Sequence, residues 1–319
     1  MNKLKIAVIG LGHLGKFHAE KLADIQEVDL VALVDINLKQ AEKVCKKLKE
    51  QFGISPQVFT DYKKILNKID AVSIVTPTVT HYEICKYFLE SGKAVFLEKP
   101  LTHDLKQAEE LVEISLKKKL PFQIGYIERF QPAVKELLKK VKNPLFIEAH
   151  RLSSFVERNL DIDVVLDLMI HDLDLVRLLK PDQEIELIHA VGAPLFTSLP
   201  DIVNARIIFK DGTTCNLTAS RISLNRQRRF RVFEKGAYYV VDTLERSYLE
   251  VKVDMSKKGY QSNKQTFFKS DPLKEELSSF VKSILTGEKV EVTGEEALKS
   301  LELAFKIKRQ VDENLRKFL

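Results

Sequence analysis

The chain has 319 residues, 45% hydrophobic and 30% charged, longer than the roughly 250 to 300 residues one core usually serves, so two domains are expected. Its 51 basic and 45 acidic residues leave a formal charge of +6, too mild to imply nucleic acid and compatible with an anionic substrate. The composition excludes disordered, collagen-like and disulfide-framework chains, and charges interrupt every apolar run well short of the roughly 18 residues of a membrane span.

Lys3 and Lys5 before Ile6, Ala7, Val8 and Ile9 resemble the start of a signal peptide. The glycines that follow and the lack of a small-x-small cleavage site argue against one. Cys45, Cys85 and Cys215 are scattered and odd in number, which fits reduced thiols in a cytoplasmic protein and side chains that pack as small hydrophobes.

In chain order, a short apolar run from Lys5 to Ile9 ends at Gly10, and Lys16 to Ile25 reads as a helix. The run Val28 to Asp35 is a strand ending on a carboxylate. Ala41, Val44, Leu48 and Phe52 recur at helical spacing, with Asn37 as the expected N-cap and Gly53 as the C-terminal stop. The alternation continues with a strand at Gln57 to Phe59, a helix at Asp61 to Leu66, a strand at Ala71 to Thr76 and a helix at Thr80 to Glu90. Strands at Ala94 to Leu97 and Phe122 to Ile124 flank a helix over Asp104 to Lys118. This rhythm predicts a doubly wound parallel sheet with helices on both faces, over residues 1–122.

From residue 123 to 319 the pattern changes to α+β. Val203 to Phe209 and Thr213 to Arg221 flank Asp211-Gly212, a hairpin signal. Further strands are expected at Phe230 to Glu234, Tyr238 to Thr243 and Tyr248 to Val253, with helices at Asp163 to Leu179, Pro272 to Leu285 and Glu295 to Phe318. The fold class is therefore α/β: an N-terminal Rossmann sheet plus a C-terminal α+β domain with a largely antiparallel open sheet. An open sheet face needs cover, so a homodimer or homotetramer is expected.

Gly10-Leu11-Gly12-His13-Leu14-Gly15 is a GxGxxG run between the first strand and the first helix. Its glycines allow the tight turn, the close approach of backbone to a diphosphate and the packing of helix on strand. The backbone at His13 and Leu14 and the helix N-terminus supply N–H groups to an anion. Asp35 ends the second strand, where a carboxylate accepts hydrogen bonds from the adenosine ribose and repels a 2′-phosphate. NAD is therefore expected as cofactor, although Lys39 lies near. No spacing typical of a metal site occurs.

Beyond that loop, Thr76-Pro77, His81, Glu98-Lys99-Pro100 and the Asp167 to His171 pair resemble the motifs of the glucose-fructose oxidoreductase and inositol dehydrogenase family (Gfo/Idh/MocA). The resemblance runs from Lys5 to the Gly294-Glu295-Glu296-Ala297 helix start. It implies that Thr76, Pro77, His81 and Glu98 face the cofactor and that Lys99 meets both cofactor and the reacting oxygen. His171 would be the base and Asp167 its orienter, two residues that share a helical face. Many family members carry glycines where this chain has Asp163-Val164-Val165-Leu166, so the fit of the substrate against that helix start is expected to differ.

The runs VVLDLMIHDLD and GYIERF (Gly125 to Phe130) resemble the nucleotide-sugar branch. That likeness implies oxidation of a secondary hydroxyl, at C3 of UDP-N-acetylglucosamine, to a 3-keto sugar. Free inositol or a monosaccharide is the alternative substrate, and a non-catalytic dinucleotide sensor is the alternative of another class. Tyr126, Arg129 and Arg158 are candidates for holding the sugar or its diphosphate. Arg226, Arg228, Arg229 and Arg231 interleave with Phe230 and Phe233. Strand alternation predicts that Arg228 and Phe230 share one face, with Arg229 and Arg231 on the other.

Overall fold

The computed structural model describes residues 3–156, 160–254, 256 and 259–317. Its contacts form two units, Met1–Ile127 with Asp271–Leu298, and Glu128–Ser270 with Lys299–Leu319.

In the first unit the order is β1 (Leu4–Ile9), α1 (Gly15–Ala23), β2 (Val28–Val34), α2 (Leu38–Phe52), β3 (Gln57–Phe59), β4 (Ala71–Ile74), α3 (His81–Glu90), β5 (Ala94–Glu98), α4 (Leu105–Lys118) and β6 (Phe122–Gly125). The strands are parallel in the order β3-β2-β1-β4-β5-β6. Every residue of β4 and β5 is buried, as helices on both faces require. The winding reverses between β1 and β4, which opens a crevice at the carboxyl ends of the strands, where ligands bind in such sheets. Asn37 caps α2 by accepting from the Gln40 N–H at 3.3 Å, and Gly53 ends it at φ 71°. The expected helix at Asp61 to Leu66 is instead a 3₁₀ stretch, Tyr62–Lys68. Asp61 caps it by accepting from the Lys63 N–H at 2.9 Å, and so short a connection gives an α-helix few turns to propagate.

The second unit contains α5 (Pro132–Lys140), β7 (Phe146–Leu152), a π turn at Val165–Met169, α6 (Ile170–Leu179), β8 (Ile185–Ala193), β9 (Ile202–Phe209), β10 (Thr214–Ser220), β11 (Gln227–Glu234), β12 (Ala237–Asp242), β13 (Ser247–Asp254) and β14 (Gly259–Thr266). These strands form one sheet in the order β14-β13-β12-β11-β7-β10-β9-β8, antiparallel except where β7 meets β10. Gly212 turns the β9-β10 hairpin at φ 87°. Along β9, Val203, Ala205 and Ile207 are buried while Asn204 and Arg206 are exposed. The arginine strand follows the same rule. Phe230 and Val232 are buried, whereas Arg229 pairs with Asp242 at 3.2 Å and Arg231 with Glu148 at 2.6 Å on the other face. Cys85 and Cys215 are buried and Cys45 is half-buried. Burial pushes the Cys215 thiol up to about 12.

After β14, α7 (Pro272–Thr286) and α8 (Gly294–Leu315) complete the chain. A single border at residue 122 does not describe this arrangement. β6 pairs with β5, so the first sheet extends past that point, and α7 belongs to the first unit. Leu277, Phe280 and Val281 enter the core that contains Leu22 and Phe96, and the Phe280 ring lies 5.7 Å from that of Phe96. Lys21 pairs with Asp271 at 2.7 Å and Lys274 with Asp24 at 2.6 Å. The Ile124 N–H donates to the Val292 carbonyl at 3.1 Å.

Candidate active site

Gly10 takes φ 85°, and a Cβ there would lie 2.6 Å from the Val75 carbonyl oxygen, while a Cβ at Gly15 would overlap the Gly10 carbonyl. The turn itself therefore demands both glycines. Gly12 differs, since none of the described residues puts an atom within 4 Å of a Cβ built there. The space above it fits a diphosphate lying against bare backbone. Leu14 gives α1 no side-chain cap; the Phe17 and His18 N–H groups donate to the Leu14 carbonyl at 2.8 and 3.2 Å, and the positive end of the helix dipole behind them favours an anion at the glycine loop. His13 is exposed, with its ring edge-on to Phe17 at 6.0 Å.

Asp35 follows β2 at the same edge. Its Oδ2 accepts from the Leu11 N–H at 2.7 Å and its Oδ1 from the Asn37 N–H at 2.8 Å, while Gln40 Nε2 donates to the Leu11 carbonyl at 2.6 Å. The carboxylate thus orients the glycine loop and keeps lone pairs for ribose hydroxyls. The residues present fit NAD.

Thr76 and Pro77 leave β4, and Glu98 ends β5, so both motifs reach the carboxyl edge of the sheet. His81 is 1% exposed, with Nδ1 2.9 Å from the Pro100 carbonyl and Nε2 2.9 Å from the Thr76 carbonyl. A neutral ring donates to one of these oxygens and a protonated ring to both. Burial pushes His81 below the usual histidine value, against the pull of the two carbonyls and of Glu98. Its ring, expected beside the cofactor, faces backbone carbonyls on both sides.

Glu98 is 8% exposed. Its Oε1 lies 3.1 Å from His18 Nε2, off the line of a good hydrogen bond, and a Cβ on Gly125 would come within 2.8 Å of that oxygen. Lys99 follows, half-buried, before a cis Lys99-Pro100 bond. Tyr126 is 1% exposed.

In the second unit Asp163 builds the start of the helix that carries Asp167 and His171. Its Oδ1 accepts from the N–H groups of Val165 at 2.9 Å and Leu166 at 3.1 Å, and its Oδ2 pairs with Lys308. Val164, Val165 and Leu166 are buried, so the residues that replace glycines pack into the interior. Asp167 lies in the π turn and His171 in the first turn of α6, both half-buried. Residues four apart overshoot a full turn by about 40° in an α-helix. The wider π turn reduces that overshoot, which keeps the two on one face, and such turns recur at functional sites.

The same helix is held by buried ion pairs. Arg151 forks onto Asp172 at 2.8 and 3.0 Å and reaches Glu128 at 2.7 Å. Burial opposes the charge on Arg151, and the two carboxylates more than offset it. Arg129 binds Asp174 through two contacts of 2.7 Å, joined by Ser300 Oγ at 3.3 Å. Arg129, expected at the sugar or its diphosphate, forms a buried pair with Asp174 on α6. Arg158 lies outside the described residues.

His18, Asp163, Lys308, Glu128 and Arg151 escape a reading of the sequence because their partners lie far along the chain or are backbone groups. Only the polar residues inside apolar runs, such as Asp172 and Asp174, carry any local signal. Among the described residues no group of three or more His, Cys, Asp or Glu could hold a metal ion, and no helix is long and apolar enough to cross a membrane.

A parallel sheet wound in this order, with a glycine loop at its switch point and a carboxylate at the end of β2, defines an NAD-binding Rossmann oxidoreductase. A family model described as an oxidoreductase family with an NAD-binding Rossmann fold matches residues 4–126. The UDP-N-acetylglucosamine 3-dehydrogenase of Acidithiobacillus ferrooxidans is 38% identical over 76% of this chain and 75% of its own. The chain belongs to the Gfo/Idh/MocA oxidoreductase family. A solved structure of that dehydrogenase superposes with a TM-score of 0.89 at 33% identity, covering 98% of this chain and 99% of the other. The myo-inositol 2-dehydrogenase of Thermotoga maritima is 27% identical over 97% of each chain. A scyllo-inositol dehydrogenase from Lactobacillus casei, solved with bound NAD(H) and scyllo-inositol, shares the fold at a TM-score of 0.81 and 23% identity over 98% of each chain.

Proposed function

We propose that the protein oxidises the C3 hydroxyl of UDP-N-acetylglucosamine to the 3-keto sugar. The observation that carries this reading is the 38% identity to a UDP-N-acetylglucosamine 3-dehydrogenase over most of both chains. When bound, NAD supplies the hydride acceptor. The backbone from Gly10 to Gly15 and the start of α1 hold its diphosphate, Asp35 accepts from its adenosine ribose, and Thr76 and Pro77 border its nicotinamide end. Lys99 hydrogen-bonds the reacting oxygen and stabilises the negative charge that develops there. His171 takes the hydroxyl proton, and Asp167 orients the ring and stabilises its cation.

The identity to a myo-inositol 2-dehydrogenase over nearly the whole chain supports a second reading, oxidation of a free cyclitol. A panel of UDP-N-acetylglucosamine, UDP-glucose, myo-inositol and scyllo-inositol, assayed with NAD for NADH formation, separates the two. UDP-N-acetylglucosamine is expected to give NADH and a product two hydrogens lighter by mass spectrometry. Turnover of the inositols alone would transfer the reading to them, and NAD binding without turnover of any would favour a dinucleotide sensor.

Three cysteines outside disulfides suit a reducing cytoplasm. The sheet face bearing Phe146, Phe233 and Tyr238, whose rings lie 5.6 Å apart in succession, suits cover by another copy in a homodimer or homotetramer.

A further inference from the structure

Both neighbours of Lys99 lie against buried histidines. On one side the Glu98 carboxylate meets His18, which is fully buried on α1 and whose Nδ1 lies 2.9 Å from Ser73 Oγ on β4. On the other side the Pro100 carbonyl lies 2.9 Å from His81 Nδ1, while the opposite nitrogen of the same ring faces the Thr76 carbonyl. One imidazole therefore sits between the turns that follow β4 and β5, and a second, held to β4 through Ser73, places the glycine-loop helix against the Glu98 carboxylate at the end of β5. An imidazole suits this place because its two nitrogens point outward in different directions, the neutral ring donating to one carbonyl and packing against the other. An amide side chain offers all its donors at one atom.

We propose that His18 and His81 are positioning residues for Lys99, His81 through the Pro100 backbone carbonyl after it and His18 by confining the Glu98 side chain before it, so that its ammonium is delivered to one place. The proposal rests on the reading of Lys99 as the group at the reacting oxygen. The leverage is large because a misplacement of about 1 Å at a reacting group can cost about 10²-fold in rate. It also gives His81 a role different from direct contact with the cofactor.

The test is a double-mutant cycle on the full-length protein, with UDP-N-acetylglucosamine or with whichever polyol replaces it in the assay above. His81→Ala is expected to lower kcat by about 10- to 10²-fold when Lys99 is present and by less than about threefold in a Lys99→Met background. NADH affinity, read by fluorescence titration, should stay within a few-fold, and His18→Asn should show the same dependence on Lys99. An equal loss in both backgrounds overturns the proposal, because a general loosening of the fold does not need Lys99 to be felt. Tenfold weaker NADH binding with kcat preserved also overturns it and makes His81 a cofactor contact. Normal turnover in Lys99→Met alone overturns the reading of Lys99, and the positioning role falls with it. Should His81→Ala fail to fold by circular dichroism, His81→Gln and His18→Asn replace it in the cycle, and the same outcomes support or overturn the proposal.

Discussion

With one carboxylate oxygen on the Leu11 N–H and the other on the Asn37 N–H, Asp35 is held rigidly at the end of β2, so its charge is delivered to a fixed place. A 2′-phosphate brought there meets like charge. NAD should bind more tightly than NADP, and Asp35→Ser should narrow the gap by about tenfold or more; tighter NADP binding by the wild type would reverse the assignment. At His171 the decisive observable is the pH dependence of kcat. The wild-type rate should rise with pH through one ionisation, the deprotonation that makes the ring a base. His171→Ala should remove that limb and lower the rate by about 10²- to 10⁴-fold. In Asp167→Asn the limb should move to lower pH, because a nearby negative charge stabilises the imidazolium. A limb that survives in His171→Ala would pass the role of base to another group.

Among the described connections, the loop before β9 is held by one buried carboxylate. Asp201 is fully buried and accepts from the N–H groups of Leu195, Phe196 and Thr197 at 2.8, 2.6 and 3.0 Å, and from Arg221 Nε at 2.8 Å. Burial would raise its carboxyl, but the Leu195 N–H, the Arg221 guanidinium and the N–H groups of Thr197 and Phe196 hold it far below the ordinary range. A depressed folded value means the stabilisation is full above the ordinary aspartate pKa of about 3.9 and is lost as pH falls toward the folded value. Asp201→Asn should cost about 3 kcal/mol in urea denaturation at neutral pH, and the difference from wild type should shrink in acid. An unchanged midpoint at neutral pH would show that the clamp contributes nothing to stability. Elements whose signals were local could be read directly, such as α2 with Asn37 before it and Gly53 after it. β14 could not, since all but one of the residues in GYQSNKQT are exposed and its pairing with β13 is a backbone matter that leaves no hydrophobic period.

For the chain as a whole, the first unit depends on a segment that arrives long after its sheet is complete. Phe280 is 1% exposed and packs on Phe96, so Phe280→Ala should cost about 3 to 5 kcal/mol in denaturation. Because α7 belongs to the unit with the glycine loop, NADH binding should melt out at the same lowered denaturant concentration; a loss below about 1 kcal/mol would mean that α7 only rests on that unit. The parallel α/β rhythm, the glycine loop, Asp35 and the family motifs were legible because each is written in neighbouring residues: a turn needs its glycines, a helix its cap, a strand its apolar run. What folding alone could decide was which distant groups meet. The return of α7 to the first core, the approach of His18 and His81 to the two sides of Lys99, the Lys308 contact that completes the Asp163 cap, and the pairing of Arg129 with Asp174 all join residues whose separation carries no periodicity. Such pairings are selected by burial, since a charge or imidazole taken out of water must find its partner wherever the packed chain places one.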